Sequence, residues 1–144
     1  MNTVRQVLKE KGAKVWAVQV DQPVFDALQL MLDKNIGALA VLEGDKMVGI
    51  FTERDYARKV ILKGRSSHNT SVAESMTRKV FCVAPTDTVD VCMELFTGQR
   101  VRHLLVMEDG ALAGIISIGD AVKHVIADHE STIKELQDYI QGSY

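Results

Sequence analysis

The sequence predicts an α+β fold of two β-α-β-β-α units related by a pseudo-two-fold axis, and three observations carry that expectation. Gly49-Ile50-Phe51-Thr52-Glu53-Arg54-Asp55 returns as Gly114-Ile115-Ile116-Ser117-Ile118-Gly119-Asp120, sixty-five positions later. At the same offset the whole span from Val15 to Ile61 lies over Val80 to Ile126 without a gap, with identities that include Val18/Val83, Leu39/Leu104, Gly49/Gly114 and Asp55/Asp120. Within each span, short β-prone runs alternate with stretches whose apolar residues recur at helical spacing. A self-similar period of this kind defines the unit before any fold is chosen.

Each unit opens on a short strand, Val15-Trp16-Ala17-Val18 or Val80-Phe81-Cys82-Val83, rich in β-branched and aromatic residues. Asp21-Gln22-Pro23 and Thr86-Asp87-Thr88 follow with short polar side chains able to cap free N–H groups, and with a proline tolerated in a first helical turn. The helices after them carry Val24, Ala27, Leu28 and Met31, or Val89, Cys92, Met93 and Phe96, spaced i, i+3, i+4, i+7, so each buries one stripe. Two strands joined by a turn come next: Ala38 to Leu42 and Val48 to Phe51 around Glu43-Gly44-Asp45-Lys46, and Leu104 to Met107 and Leu112 to Ile116 around Glu108-Asp109-Gly110. A second helix closes each unit, over Glu53 to Leu62 and Ile118 to Ala127.

The expected organisation is a first repeat over residues 1–64, a polar connection over 65–70 with Gly64 as helix stop, a second repeat over 71–127 and a helical tail over 128–144. Thr3-Val4-Arg5-Gln6-Val7-Leu8 parallels Ser71-Val72-Ala73-Glu74-Ser75-Met76 as a short helical lead-in, after which the first unit has about three extra residues. In the tail Ile133, Leu136, Tyr139 and Ile140 form an apolar stripe among charged residues. It either meets a second subunit or packs back on its own chain.

At 144 residues the chain is long enough to bury about two-thirds of its unfolded surface without disulfides or metals. A net charge of −2 argues against a nucleic-acid binder that works by neutralising many phosphates. No apolar run reaches the length of a membrane span, and Met1-Asn2-Thr3-Val4-Arg5-Gln6 lacks a basic-then-apolar leader, so a cytoplasmic protein is expected. Cys82 and Cys92 fall opposite Ala17 and Ala27 and are expected to be small core fillers rather than a redox pair. His124 and His129 have no acidic or cysteine partner at metal-binding spacing and His68 lies in the polar connection, so a solvated or structural role is expected for all three and no metal site.

The repeated motif admits two explanations. Thr52-x-x-Asp55 and Ser117-x-x-Asp120 both fit a capping box, with the hydroxyl at the N-cap and the carboxylate reaching back to the N-cap amide. Yet the glycines allow close backbone approach, the helix start is ready for an anion, and an acidic side chain near a strand end can hold a ribose diol. A ribose phosphate has both groups.

This Gly-h-h-Ser/Thr-x-x-Asp ending, with h apolar, resembles the CBS domain, named for cystathionine β-synthase, and two in tandem resemble a CBS pair or Bateman module. Gly-Ile-Phe-Thr-Glu-Arg-Asp-Tyr, Arg-His-Leu-Leu-Val, Gly-Ile-Ile-Ser-Ile-Gly-Asp and the closing Asp-Tyr-Ile-Gln-Gly-Ser-Tyr are similar to the small stand-alone CBS-pair proteins of bacteria and plant mitochondria. The resemblance covers essentially the whole chain. It implies two clefts for adenosyl ligands such as AMP, ADP, ATP, NAD(H) or S-adenosylmethionine, in a regulatory, non-catalytic module that forms homodimers and signals to a protein partner.

Carried over by position, the resemblance implies that Asp55 and Asp120 hold ribose hydroxyls with help from Thr52 and Ser117. Lys14, Val15 and Val18 in one unit, and Thr77, Val80 and Val83 in the other, would form adenine slots with Ile50 and Ile115. The units diverge where phosphate would lie: Gly37-Ala38 corresponds to Arg102-His103, and Arg54 to Gly119. Arg54, Arg102 and His103 are therefore the candidate phosphate ligands, a guanidinium by bidentate bonding and the histidine as a donor able to change charge near pH 7. Unequal clefts follow. The competing readings are a ligand-free interaction scaffold and, more remotely, an enzyme, for which no nucleophile-base set, Walker loop or metal cluster is visible.

Overall fold

The computed structural model describes residues 2–12 and 14–140. In chain order the elements are α1 (Val4–Lys11), β1 (Ala17–Gln19), α2 (Val24–Lys34), β2 (Ala38–Glu43), β3 (Lys46–Thr52) and α3 (Glu53–Lys59), then a short 3-10 turn at Ile61–Lys63. The second half repeats them as α4 (Val72–Ser75), β4 (Cys82–Val83), α5 (Val89–Gly98), β5 (His103–Glu108), β6 (Ala111–Ser117) and α6 (Ile118–Ile140). Gly64 ends the 3-10 turn at φ +68° as the expected stop, while α3 itself is shorter than its sequence signals predicted.

Two three-stranded sheets form, ordered β1-β2-β3 and β4-β5-β6, each with a parallel first pair and an antiparallel hairpin. Their registers are the same to the residue, down to an irregularity at Val41/Leu42 in one and Val106/Met107 in the other. Both hairpins bury the middle of their first strand and turn through glycines of positive φ, Gly44 at +63° and Gly110 at +79°. The sheets meet along a seam where Ala38, Ile50 and Leu105 are buried among Met47, Val80, Leu112 and Ile115.

The cores are made crosswise. The lead-in helix α1 places Val4, Val7 and Leu8 among Val83, Val89, Phe96, Leu104 and Ile116 of the second sheet's core. Conversely, Val72 and Met76 of the α4 segment join Val18, Val24, Leu39 and Phe51 of the first. Backbone bonds lock the exchange: Val4 and Arg5 donate to Asp87 and Pro85 at 2.9 Å, and Val72 and Ala73 donate to Gln22 and Val20 at 2.9 and 3.0 Å. Each helix start thus finds acceptors for its free N–H groups in the other unit's loop. At α2 this replaces the expected side-chain cap, for Pro23 makes none and Val24 donates to Thr70 O at 2.8 Å.

Gly49 and Gly114 sit inside β3 and β6, and the close approach expected there is real. A Cβ on Gly49 would lie 2.6 Å from the carbonyl oxygen of Thr77, whose backbone exchanges two hydrogen bonds with Ile50 at 2.9 and 2.8 Å. A Cβ on Gly114 would lie 2.7 Å from a methyl of Leu8.

Cys92 is buried, and burial pushes its thiol up to about 11. Cys82 corrects the expectation of two core fillers: it lies exposed on β4, an edge strand. Neither forms a disulfide. The tail continues α6 as one 23-residue helix with Ile133, Leu136 and Ile140 exposed, so it does not pack back on its own chain. Residues 141–144, part of the closing similarity noted above, lie outside the described residues. Among the described residues no helix is long and apolar enough to cross a membrane.

Candidate functional site

The hydroxyl-aspartate pairs stand where strand passes into helix in each unit, and both are capping boxes. The Asp55 amide donates to Thr52 Oγ1 at 3.2 Å, and the Thr52 amide donates to Asp55 Oδ2 at 3.0 Å. Asp120 and Ser117 repeat this at 3.0 and 2.9 Å. The capping explanation therefore holds, and it fixes each carboxylate at the floor of a cleft.

Beyond the cap the two aspartates differ. Asp55 is nearly enclosed, its side chain 8% exposed, because its other oxygen accepts from Thr77 Oγ1 at 2.7 Å and from Lys59 Nζ at 3.0 Å. Asp120 is 27% exposed, and its Oδ2 takes Lys11 Nζ at 2.5 Å as well as the Ser117 amide. Burial alone would raise the Asp120 carboxyl, but the Lys11 and Ser117 hydrogen bonds outweigh it and hold the group below its usual value.

The first cleft, of about 440 Å³, gathers Thr52 and Asp55 with Ile50, and takes Thr77 and Val80 from the segment ahead of β4. Thus the motif of one unit meets the first strand of the other, which no single repeat could supply. Arg54, Arg102 and His103 all line this cleft, together with Arg100 and Lys79, which sequence reasoning missed. Arg100 is held at φ +54°, a left-handed conformation uncommon for arginine. Its counterpart Asn35 has the same φ and caps α2, a role asparagine fills at little cost. A costly backbone conformation that presents a cation to a cleft is the kind of strain found at binding sites.

The second cleft, of about 340 Å³, joins Ser117, Asp120 and Ile115 to Lys14 and Val15. Trp16 and Lys11 also line it, and both went unremarked from sequence as site residues. Lys14 and Lys34 each lie 4.3 Å from the Trp16 ring centroid, two cation–π contacts on one ring. Where the first cleft has Arg54, Arg100 and Arg102, the second has Gly119, Asn35 and Gly37 at the matching positions. Gly37 and His103 line both clefts.

Two expectations need correction. Val18 and Val83 line neither cleft; both face inward from their strands and are buried in the two cores. His103 does not change charge near pH 7, because burial first, and then Lys11, Arg102 and Arg54, push it down to about 4 against the pull of Asp120. It is a neutral donor or acceptor. His124 takes the structural one of the two roles expected for it, buried with its ring nitrogens 3.0 Å from Glu10 Oε2 and 3.1 Å from Asn2 Oδ1, contacts across more than a hundred residues that no spacing could reveal. Among the described residues no cluster of three or more histidine, cysteine or carboxylate side chains could hold a metal.

Known proteins share this arrangement. The chain is 40% identical to the mitochondrial CBS domain-containing protein CBSX3 of Arabidopsis thaliana, over 99% of this chain and 73% of that one. A solved protein with CBS domains from Burkholderia ambifaria superposes with a TM-score of 0.85 at 52% identity, covering 88% of this chain and 96% of the other. The hexameric CBS-CP12 protein from bloom-forming cyanobacteria superposes with a TM-score of 0.75 at 29% identity, covering 85% and 70%. The CBS domain model matches residues 4–62 and again 71–127. Two interlocked β-α-β-β-α units, each ending on a hydroxyl-aspartate cap at the floor of a cleft, place the chain in the CBS-domain family as a CBS pair.

Proposed function

We propose that the protein is a regulatory module that binds adenosyl ligands in two unequal clefts and passes their occupancy to a protein partner. The observation that carries this reading is the first cleft. There a helix start, a carboxylate and a hydroxyl stand beside an apolar slot, with Arg54, Arg100, Arg102 and Lys79 lining the same cleft. Ribose, adenine and phosphate each have a complement, and the arginine fork suits phosphate oxygens. Clustered guanidiniums favour adenosine di- and triphosphates there, while the second cleft, with lysines only, suits ligands of fewer phosphates.

Ligand acts through differential affinity for two states of the pair or its assembly. The second copy of this chain is the first partner to consider: α6 projects an exposed stripe of Ile126, Ile133, Leu136 and Ile140 at coiled-coil spacing, and the CBS-CP12 relative is hexameric. The same stripe favours the scaffold reading, in which assembly is the function and the aspartates only cap helices.

A thermal-shift panel separates the two. At ligand about a hundredfold above Kd, linkage contributes roughly 2.7 kcal/mol of stability. ATP or ADP should raise the melting temperature, and Arg102→Gln with Arg54→Gln should reduce that rise while sparing the basal melting temperature. No rise with AMP, ADP, ATP, NAD(H) or S-adenosylmethionine, with Asp120→Asn changing stability alone, would establish the scaffold.

A further inference from the structure

Lys11 belongs to the last turn of α1, within the short insertion that has no counterpart before the other first strand. Its ammonium reaches into the second cleft and is held by two acceptors there, Asp120 Oδ2 at 2.5 Å and the Ile115 carbonyl at 2.6 Å. The side chain is 32% exposed and extends from a helix end, so it can swing without disturbing α1. In the first cleft the equivalent carbonyl, that of Ile50, accepts from the backbone of Thr77 instead. A movable cation that itself lines the second cleft thus occupies the acceptor that a ribose diol would use there, whereas Asp55 is paired with Lys59, which does not line the first cleft.

We propose that Lys11 makes the second cleft select nucleotides over nucleosides, by exchanging its partner from Asp120 to the ligand's phosphate. The inference rests on the adenosyl reading of that cleft. A diol engages a carboxylate through both oxygens, and Oδ2 already accepts from Lys11 and from the Ser117 amide. A nucleoside must break the Lys11 ion pair and leaves the ammonium without a replacement. A nucleotide breaks the same pair but brings an anion within reach of the freed ammonium, so the charge-assisted bond is re-formed rather than lost. Lys14 adds a second cation in the same cleft, 4.3 Å from the Trp16 ring centroid.

The second cleft carries its own reporter, since Trp16 is the single tryptophan of the chain and lines that cleft. Its fluorescence, excited at the red edge of tryptophan absorption, is followed during titration of the whole protein with AMP and with adenosine. A charge-assisted hydrogen bond gained or lost corresponds to about tenfold in affinity. The wild type should bind AMP at least about tenfold more tightly than adenosine. Lys11→Met should bring the two affinities within about threefold by strengthening adenosine while leaving AMP nearly unchanged, and Lys11→Arg should restore the preference. An unchanged AMP-to-adenosine ratio in Lys11→Met, or equal affinities in the wild type, would overturn the role of Lys11 while leaving the cleft an adenosyl site. If neither compound moves the Trp16 signal in any of the three proteins, the adenosyl reading of this cleft falls, and the inference with it.

Discussion

At the scale of single residues, the same capping motif meets different surroundings in the two units. Asp55 is nearly enclosed by Thr52, Thr77 and Lys59, whereas Asp120 keeps an oxygen open to its cleft. Glycine at positions 49 and 114 answers to different neighbours. Gly49→Ala drives a Cβ against the rigid Thr77 carbonyl, at the upper end of the roughly 1–3 kcal/mol typical of overpacking. Gly114→Ala meets the Leu8 side chain, which can turn aside, so urea denaturation should find it the milder of the two. His103 sets a pH dependence: it binds a proton near pH 4 in the folded chain and near 6.5 when unfolded. Between those values the unfolded state holds more protons, so this contribution is intact above pH 6.5 and is lost as pH falls toward 4. Asp120, held below 3.8, loses its contribution only at lower pH. Denaturation at pH 7.5, 6 and 5 should show wild type losing more stability than His103→Asn, and equal losses would contradict the burial assigned to the ring.

At the scale of elements, strands and helices were legible because their signals are local. The sixty-five-residue offset placed every element of both units, and the caps at Thr52 and Ser117 could be named from spacing alone. What spacing did not carry is which unit a lead-in helix serves. Val4, Val7 and Leu8 show an apolar stripe, but a stripe does not say whose sheet it covers, and α1 covers the second. The same blindness hid Lys11, whose partner Asp120 lies 109 positions away. Lys79 and Arg100 were within reach, being the offset partners of Lys14 and of Asn35, and Arg100 sits two residues before Arg102. Val18 and Val83 were misplaced because they sit within β1 and β4 and are buried in the cores, while Val15 and Val80 lie ahead of those strands and line the clefts. α6 yields a separate expectation: residues 127–140 are exposed throughout, and a helix of that length is marginal in water without a partner. Leu136→Asp should leave the body folded by circular dichroism and reduce the assembly mass by light scattering. An unchanged mass would remove α6 from the interface.

At the scale of the molecule, reciprocal exchange of α1 and α4 makes the pair one cooperative body and draws each cleft's wall from both units. Near-identical sheets then frame sites whose charges have diverged, three arginines in one and two lysines in the other. The two clefts share a wall at Gly37 and His103, so on the proposed adenosyl reading two ligands would lie next to each other and occupancy of one would alter the other. Native mass spectrometry of the protein titrated with ATP counts ligands directly on each assembly. Two unequal adenosyl sites predict a first ATP per chain at low concentration and a second only at higher concentration, with Arg54→Gln/Arg102→Gln losing the first. Spectra that stay ligand-free with ATP, ADP, AMP, NAD(H) and S-adenosylmethionine alike would contradict the account.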